Sequence, residues 1–197
     1  MIVVLRQAPN ILSALRLLSA PVAAWLILHG VDFPALCVFG LAGLSDAADG
    51  YLAKKFGLAS RFGAWLDPTA DKLLMLASFV SLTHVGAVPL WVTACVIGRD
   101  IAIIVGVLLA QIMRLPLKVA PLMVGKVSTV VQVLYIAFVL LVLTLNADWP
   151  IVEVAGESAV ALLTVSSFIA YAVVWLRAAG RPAQVDKAAA RQGDGAA

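Results

Sequence analysis

Six apolar runs of about 18–25 residues, separated by short turns, limit the fold of this chain more than any other feature. Each run is long enough to cross a bilayer. Inside one, backbone groups must find their hydrogen bonds within the segment, so each run is expected as a helix. The chain therefore reads as an all-α integral membrane protein of six transmembrane helices, at about 11–28, 34–54, 67–84, 90–113, 121–145 and 154–176. Residues 1–10 read as an interfacial N-terminal segment, closed by Pro9 and Asn10. Residues 11–177 then form one six-span domain, and the Ala-, Gly- and charge-rich stretch 178–197 reads as a disordered tail. Arg16 falls early in the first span and is expected to snorkel to the headgroups. Asp67 and Pro68 look like the cap and first turn of the third span.

Charge fixes the orientation. The turns at 29–33, 85–89 and 146–153 contain no Lys or Arg, whereas Arg6, Lys54, Lys55, Arg61, Arg114, Lys118, Arg177 and Arg181 lie at the opposite span ends. By the positive-inside rule both termini are cytoplasmic. The net charge of +3 does not indicate nucleic acid, because the basic residues form no stripe with interleaved aromatics. Cys37 and Cys95 lie inside apolar runs and read as small buried hydrophobes.

Against this background the acids stand out. The chain is 63% hydrophobic and 13% charged, yet Asp46, Asp49, Asp67 and Asp71 fall close together at the cytoplasmic ends of spans two and three. Asp46 and Asp49 are spaced i, i+3 and Asp67 and Asp71 i, i+4, so each pair shares a helix face. The short connection makes the two helices expected antiparallel neighbours. Four facing carboxylates in apolar surroundings require cations. Oxygen-only donors suit Mg²⁺, Mn²⁺ or Ca²⁺, and two ions fit such a set. Gly50, Ala53 and Gly63 leave space beside the acids for a bulky substrate, and Lys54 places a cation there for a phosphate oxygen. Two other classes also concentrate acids in apolar chains: aspartate-rich intramembrane prenyltransferases, and divalent-cation or proton transporters. A relay needs no nucleotide-sized space, so the small residues count against the transporter.

The pattern Asp46-x2-Asp49-Gly50-x2-Ala53-Lys54-x8-Gly63-x3-Asp67-x3-Asp71 resembles the signature of the CDP-alcohol phosphatidyltransferase family. It departs at one position, Lys54, where that family usually has Arg. Charge is kept there and the planar fork is lost. The resemblance implies that Asp46, Asp49 and Asp67 ligate two ions, Mg²⁺ or Mn²⁺, with Asp71 sharing one and acting as general base. It also implies that Asp49, Gly50, Ala53, Lys54 and Gly63 line the site for CDP. The implied reaction is transfer of a phosphatidyl group from CDP-diacylglycerol to an acceptor hydroxyl, with release of CMP. The implied setting is a bacterial-type inner membrane, with the site facing the cytoplasm and the chain paired as a homodimer.

Two further cations lie inside spans. Arg99 and Lys126 are candidates for binding a phosphate on the acceptor, which would favour glycerol-3-phosphate or phosphatidylglycerol. Alternatively each pairs locally, Arg99 with Asp100 or an aspartate of the cluster, and Lys126 with a headgroup phosphate. The segments from Asn10 to Arg16, Gly98 to Asp100 and Gly125 to Thr129, with Gln132, resemble the glycerolipid branch, which holds phosphatidylglycerophosphate and cardiolipin synthases. The Arg99-Asp100 pair leans toward the latter.

Overall fold

The computed structural model describes the backbone of residues 2–56, 63–113 and 123–179 and, within these, the side chains of 15–45, 69–113 and 123–177. The described residues form six helices in order: α1 (Ile2–Leu28), α2 (Asp32–Phe56), α3 (Gly63–His84), α4 (Leu90–Ile112), α5 (Met123–Leu145) and α6 (Pro150–Ala179). Among the described residues there is no strand. Among the described residues three helices, over Leu90–Ile112, Met123–Leu145 and Pro150–Arg177, are long and apolar enough to cross a membrane. The described parts of α1 and α2 include shorter apolar helices, Leu15–Leu28 and Asp32–Ser45.

The three turns that carry no Lys or Arg share one geometry. Gly30, Gly86 and Asn146 adopt positive φ (68°, 79° and 47°) just past the ends of α1, α3 and α5. After each, the next N–H reaches back across the turn, Val31 to Leu26, Ala87 to Leu82 and Ala147 to Val142, at 2.9–3.1 Å. The left-handed residue's own N–H meets the carbonyl three residues earlier. These paired bonds satisfy carbonyls a helix end leaves open, and Gly or Asn is the residue type that accepts such a φ. The chain so forms three tight helical hairpins.

Packing joins the hairpins. α1 lies against α2 and α3, α5 against α6 and α2, and α4 against α6 and α3. Alanines keep the α1–α2 seam close: Ala20 and Ala23 of α1 and Ala35 and Ala42 of α2 are buried. Phe79 and Leu82 of α3, Val92 of α4 and Tyr135, Ile136 and Leu140 of α5 fill the centre. Leu18 and Trp25, Leu41 and Leu44, Ile104 and Ile112, and Leu162 and Ile169 project outward. An apolar exterior around a core seamed by small and polar residues suits lipid as the surrounding solvent. Hydroxyls inside helices turn back on their own backbone, as Ser19 does to Arg16 O and Thr144 to Leu140 O.

Gly156 marks the tightest approach between α5 and α6. A Cβ there would lie 2.9 and 3.0 Å from Cδ2 and Cε2 of Tyr135. That ring is buried and stacked on Phe79 at 6.4 Å between centroids, so it has nowhere to go. Gly156→Ala should cost about 1–3 kcal/mol, seen as a lower unfolding midpoint in detergent. An unchanged midpoint would show that the seam can open.

Several expectations change here. α1 begins at Ile2 and runs through Pro9 and Asn10 without a break. Arg16 is therefore its fifteenth residue, and at 2% exposure it is buried rather than snorkelling. α3 begins at Gly63, which places Asp67 and Pro68 in its second turn rather than at its start. Among the described residues α1 packs against both α2 and α3; the connection between α2 and α3 and the side chains at their facing ends, on which the expected direct pairing rests, lie outside the described residues. Cys37 is exposed and Cys95 half-buried, because each falls on the outer side of its helix. The tail from 180 onward lies outside the described residues.

Candidate functional site

The four aspartates fall as two pairs on two helices. α2 carries positions 46 and 49 and α3 carries 67 and 71, so helical register puts each pair on one face. The side chains of Asp46, Asp49, Gly50, Ala53, Lys54, Gly63 and Asp67 lie outside the described residues. Asp71 is described. Its Oδ1 stands 3.2 Å from Nη1 of Arg16, with side-chain exposures of 41% for Asp71 and 1% for Arg16. A guanidinium inside the α1–α3 seam thus grips a carboxylate that still reaches solvent.

Such a carboxylate is a fitting donor for a hard divalent ion. It is an oxygen ligand with solvent access, on the helix that also carries Asp67.

A second charged group lies beside it. Lys72, the residue after Asp71, donates to Asp100 Oδ2 of α4. The other oxygen, Oδ1, accepts from Arg99 Nη1 at 2.7 Å. Arg99 is buried and also donates to Ser167 Oγ of α6, from Nη2 at 2.7 Å and from Nε at 3.3 Å. Its guanidinium carbon lies 5.9 Å from the centre of the Tyr171 ring. A guanidinium has five N–H donors. The contacts to Ser167 and Asp100 use one on each nitrogen, so each terminal nitrogen keeps a second hydrogen.

Gly125 explains how α5 reaches this corner. A Cβ there would sit 3.1 Å from Arg99 Nη2 and 3.2 Å from the Tyr171 hydroxyl. Lys126, the next residue, is exposed in the first turn of α5. About two turns beyond Gly125, Gln132 Nε2 donates to Thr164 Oγ1 at 3.1 Å and to Ser128 Oγ at 3.3 Å, tying α5 to α6. The structure thus brings Arg99 to the segment that carries Lys126, and it realises the local Arg99–Asp100 pair as well.

The family model described as CDP-alcohol phosphatidyltransferase matches residues 6–179. The chain belongs to the CDP-alcohol phosphatidyltransferase family. Within that family it is 34% identical over 179 residues to a probable phosphatidylglycerophosphate synthase of Mycobacterium tuberculosis, covering 87% of this chain and 82% of that one. It is 35% identical over 145 residues to a CMP-forming cardiolipin synthase of Rattus norvegicus, covering 66% of this chain and 48% of the relative. A Schizosaccharomyces pombe fusion of a CMP-forming cardiolipin synthase with a mitochondrial hydrolase is 41% identical over 108 residues, 55% of this chain and 18% of that protein. The chain thus spans less than half the length of these last two relatives.

Sequence reasoning did not find Arg16, Lys72, Ser167 and Tyr171 as members of the site. Arg16 and Lys72 carried a signal, since both are charges inside otherwise apolar helices. Ser167 and Tyr171 carried none, because a hydroxyl in a span is as well satisfied by its own helix.

Proposed function

We propose that this chain transfers the phosphatidyl group of CDP-diacylglycerol to a hydroxyl of a glycerol-type acceptor, glycerol-3-phosphate or phosphatidylglycerol, and releases CMP. The observation that carries the reading is Asp71, the last residue of the family's aspartate array, held at the solvent edge by the buried Arg16. Membership of the family removes the grounds for a prenyltransferase or a transporter.

Asp71 takes the proton of the acceptor hydroxyl as its oxygen attacks the β-phosphorus, while the bond from that phosphorus to the CMP oxygen breaks. Arg16 holds the carboxylate in place from α1. Two divalent ions, Mg²⁺ or Mn²⁺, held by Asp46, Asp49, Asp67 and Asp71, would supply charge neutralisation for the diphosphate and the departing CMP. Asp49, Gly50, Ala53, Lys54 and Gly63 receive the CDP moiety. Arg99, through its two remaining N–H groups, and Lys126 bind the acceptor phosphate.

In this reading all six helices span, both termini and the site face the cytoplasm, and the membrane is a bacterial-type inner membrane. The acyl chains then stay in lipid while CMP leaves into water. A second copy of the chain is the expected partner.

The test is CMP release by purified protein in mixed micelles of CDP-diacylglycerol with each acceptor. Turnover should vanish with EDTA and return with excess Mg²⁺ or Mn²⁺. Activity that survives chelation would sink the metal assignment, and no CMP release with any acceptor would sink the reaction.

A further inference from the structure

Ser167 of α6 is fully buried, and its oxygen meets Arg99 of α4 twice. Nη2 donates to it at 2.7 Å and Nε at 3.3 Å. A serine oxygen has two lone pairs with which to accept, and one guanidinium takes both. The neighbouring hydroxyl shows the ordinary alternative: Ser166 turns back on its own helix and donates to Leu162 O. Ser167 instead commits its accepting capacity to a residue 68 positions away in the chain.

Two more groups limit where that guanidinium can go. The Tyr171 ring, one turn after Ser167, has its centre 5.9 Å from the guanidinium carbon. At Gly125 of α5 a Cβ would stand 3.1 Å from Nη2, so only the bare backbone fits beside that nitrogen. Asp100 holds Nη1 alone, and a single contact leaves the planar group free to turn about it. The Ser167 oxygen adds a second point, on Nε and Nη2, and two points fix the plane.

We propose that Ser167 is a positioning residue for the transfer: it holds the Arg99 guanidinium at one angle, so that the hydrogens left on Nη1 and Nη2 meet the acceptor phosphate. The inference rests on the transferase reading above and on Arg99 meeting that phosphate. A long side chain free to turn loses its freedom at each binding event, whereas one already held has little left to lose. Ser167 therefore acts on acceptor affinity without touching the acceptor, and it does so only through Arg99.

The test is steady-state CMP release in mixed micelles of CDP-diacylglycerol, with whichever of glycerol-3-phosphate and phosphatidylglycerol the wild type uses. Ser167→Ala should raise the acceptor KM on the order of tenfold, as for one lost hydrogen bond to a charged group. The KM for CDP-diacylglycerol should stay in place. Ser167→Thr keeps the oxygen and should remain close to the wild type. In an Arg99→Met background Ser167→Ala should add nothing to the acceptor KM, because the group it aims is gone.

A hydroxyl needed only for folding would lower the unfolding midpoint and leave the acceptor KM unmoved, and that outcome overturns the inference alone. A further rise of the acceptor KM in the Arg99→Met background overturns it too, since Ser167 would then act by another route. If Ser167→Ala fails to fold, Ser167→Cys, close in size and a weaker acceptor, decides by the same comparison. CMP release with neither acceptor in the wild type overturns the transferase reading and this inference with it.

Discussion

Asp71→Asn should lower CMP release by about 10²–10⁴-fold, the range over which a positioned general base contributes. The amide keeps the size of the carboxylate and removes its basicity and its charge. It should also weaken the fold, because Arg16 sits at 1% exposure and loses its ion pair with Asp71. Removing one partner of an ion pair whose other member is buried costs stability. Since Asp71 itself is 41% exposed, water offsets part of this, and a loss of about 1–3 kcal/mol is expected. The two effects separate in the double variant Arg16→Met/Asp71→Asn. Unfolding midpoints of the two single variants and the double variant give the coupling between Arg16 and Asp71, while activity stays low wherever Asp71 is replaced. Wild-type turnover in Asp71→Asn would end the general-base assignment, whatever the stability does.

How far the sequence reached can be read from these same residues. Helices and hairpins were legible because apolar run length and the turn residues Gly30, Gly86 and Asn146 are local signals, each set by the chemistry of a few adjacent residues. The spacing of the aspartates is a local signal of the same kind, and the helices α2 and α3 that carry them were legible from it, while the side chains of Asp46, Asp49 and Asp67 lie outside the described residues. Arg16 was misread. Its depth depends on a partner 55 residues away in α3 and on a helix that starts well before Pro9, neither of which a local pattern contains. Lys72 and Ser167 were missed because a charge or hydroxyl in a span acquires its meaning from the helix opposite. Asp100 was noted beside Arg99, but its second bond, to Lys72, is a tertiary fact. Non-local partners were the part that only the fold could supply.

Arg99→Lys is expected to raise the acceptor KM by about 10–100-fold, the loss of one charge-assisted contact of about 1.5–3 kcal/mol, with the KM for CDP-diacylglycerol little changed. The substitution keeps the charge, so a role based on charge alone predicts almost no effect. Geometry predicts otherwise. Arg99 binds Ser167 through two nitrogens and Asp100 through the third, and still has a hydrogen on each terminal nitrogen for a phosphate. One ammonium at the end of a flexible stem does not span Ser167, Asp100 and a phosphate together. Arg99→Met should be worse for the acceptor yet mild for folding, because Asp100 keeps Lys72 as its partner. If both variants instead raised the KM for CDP-diacylglycerol and left that for the acceptor alone, Arg99 would belong to the nucleotide side. The division of labour between α3 and α4 would then have to be redrawn.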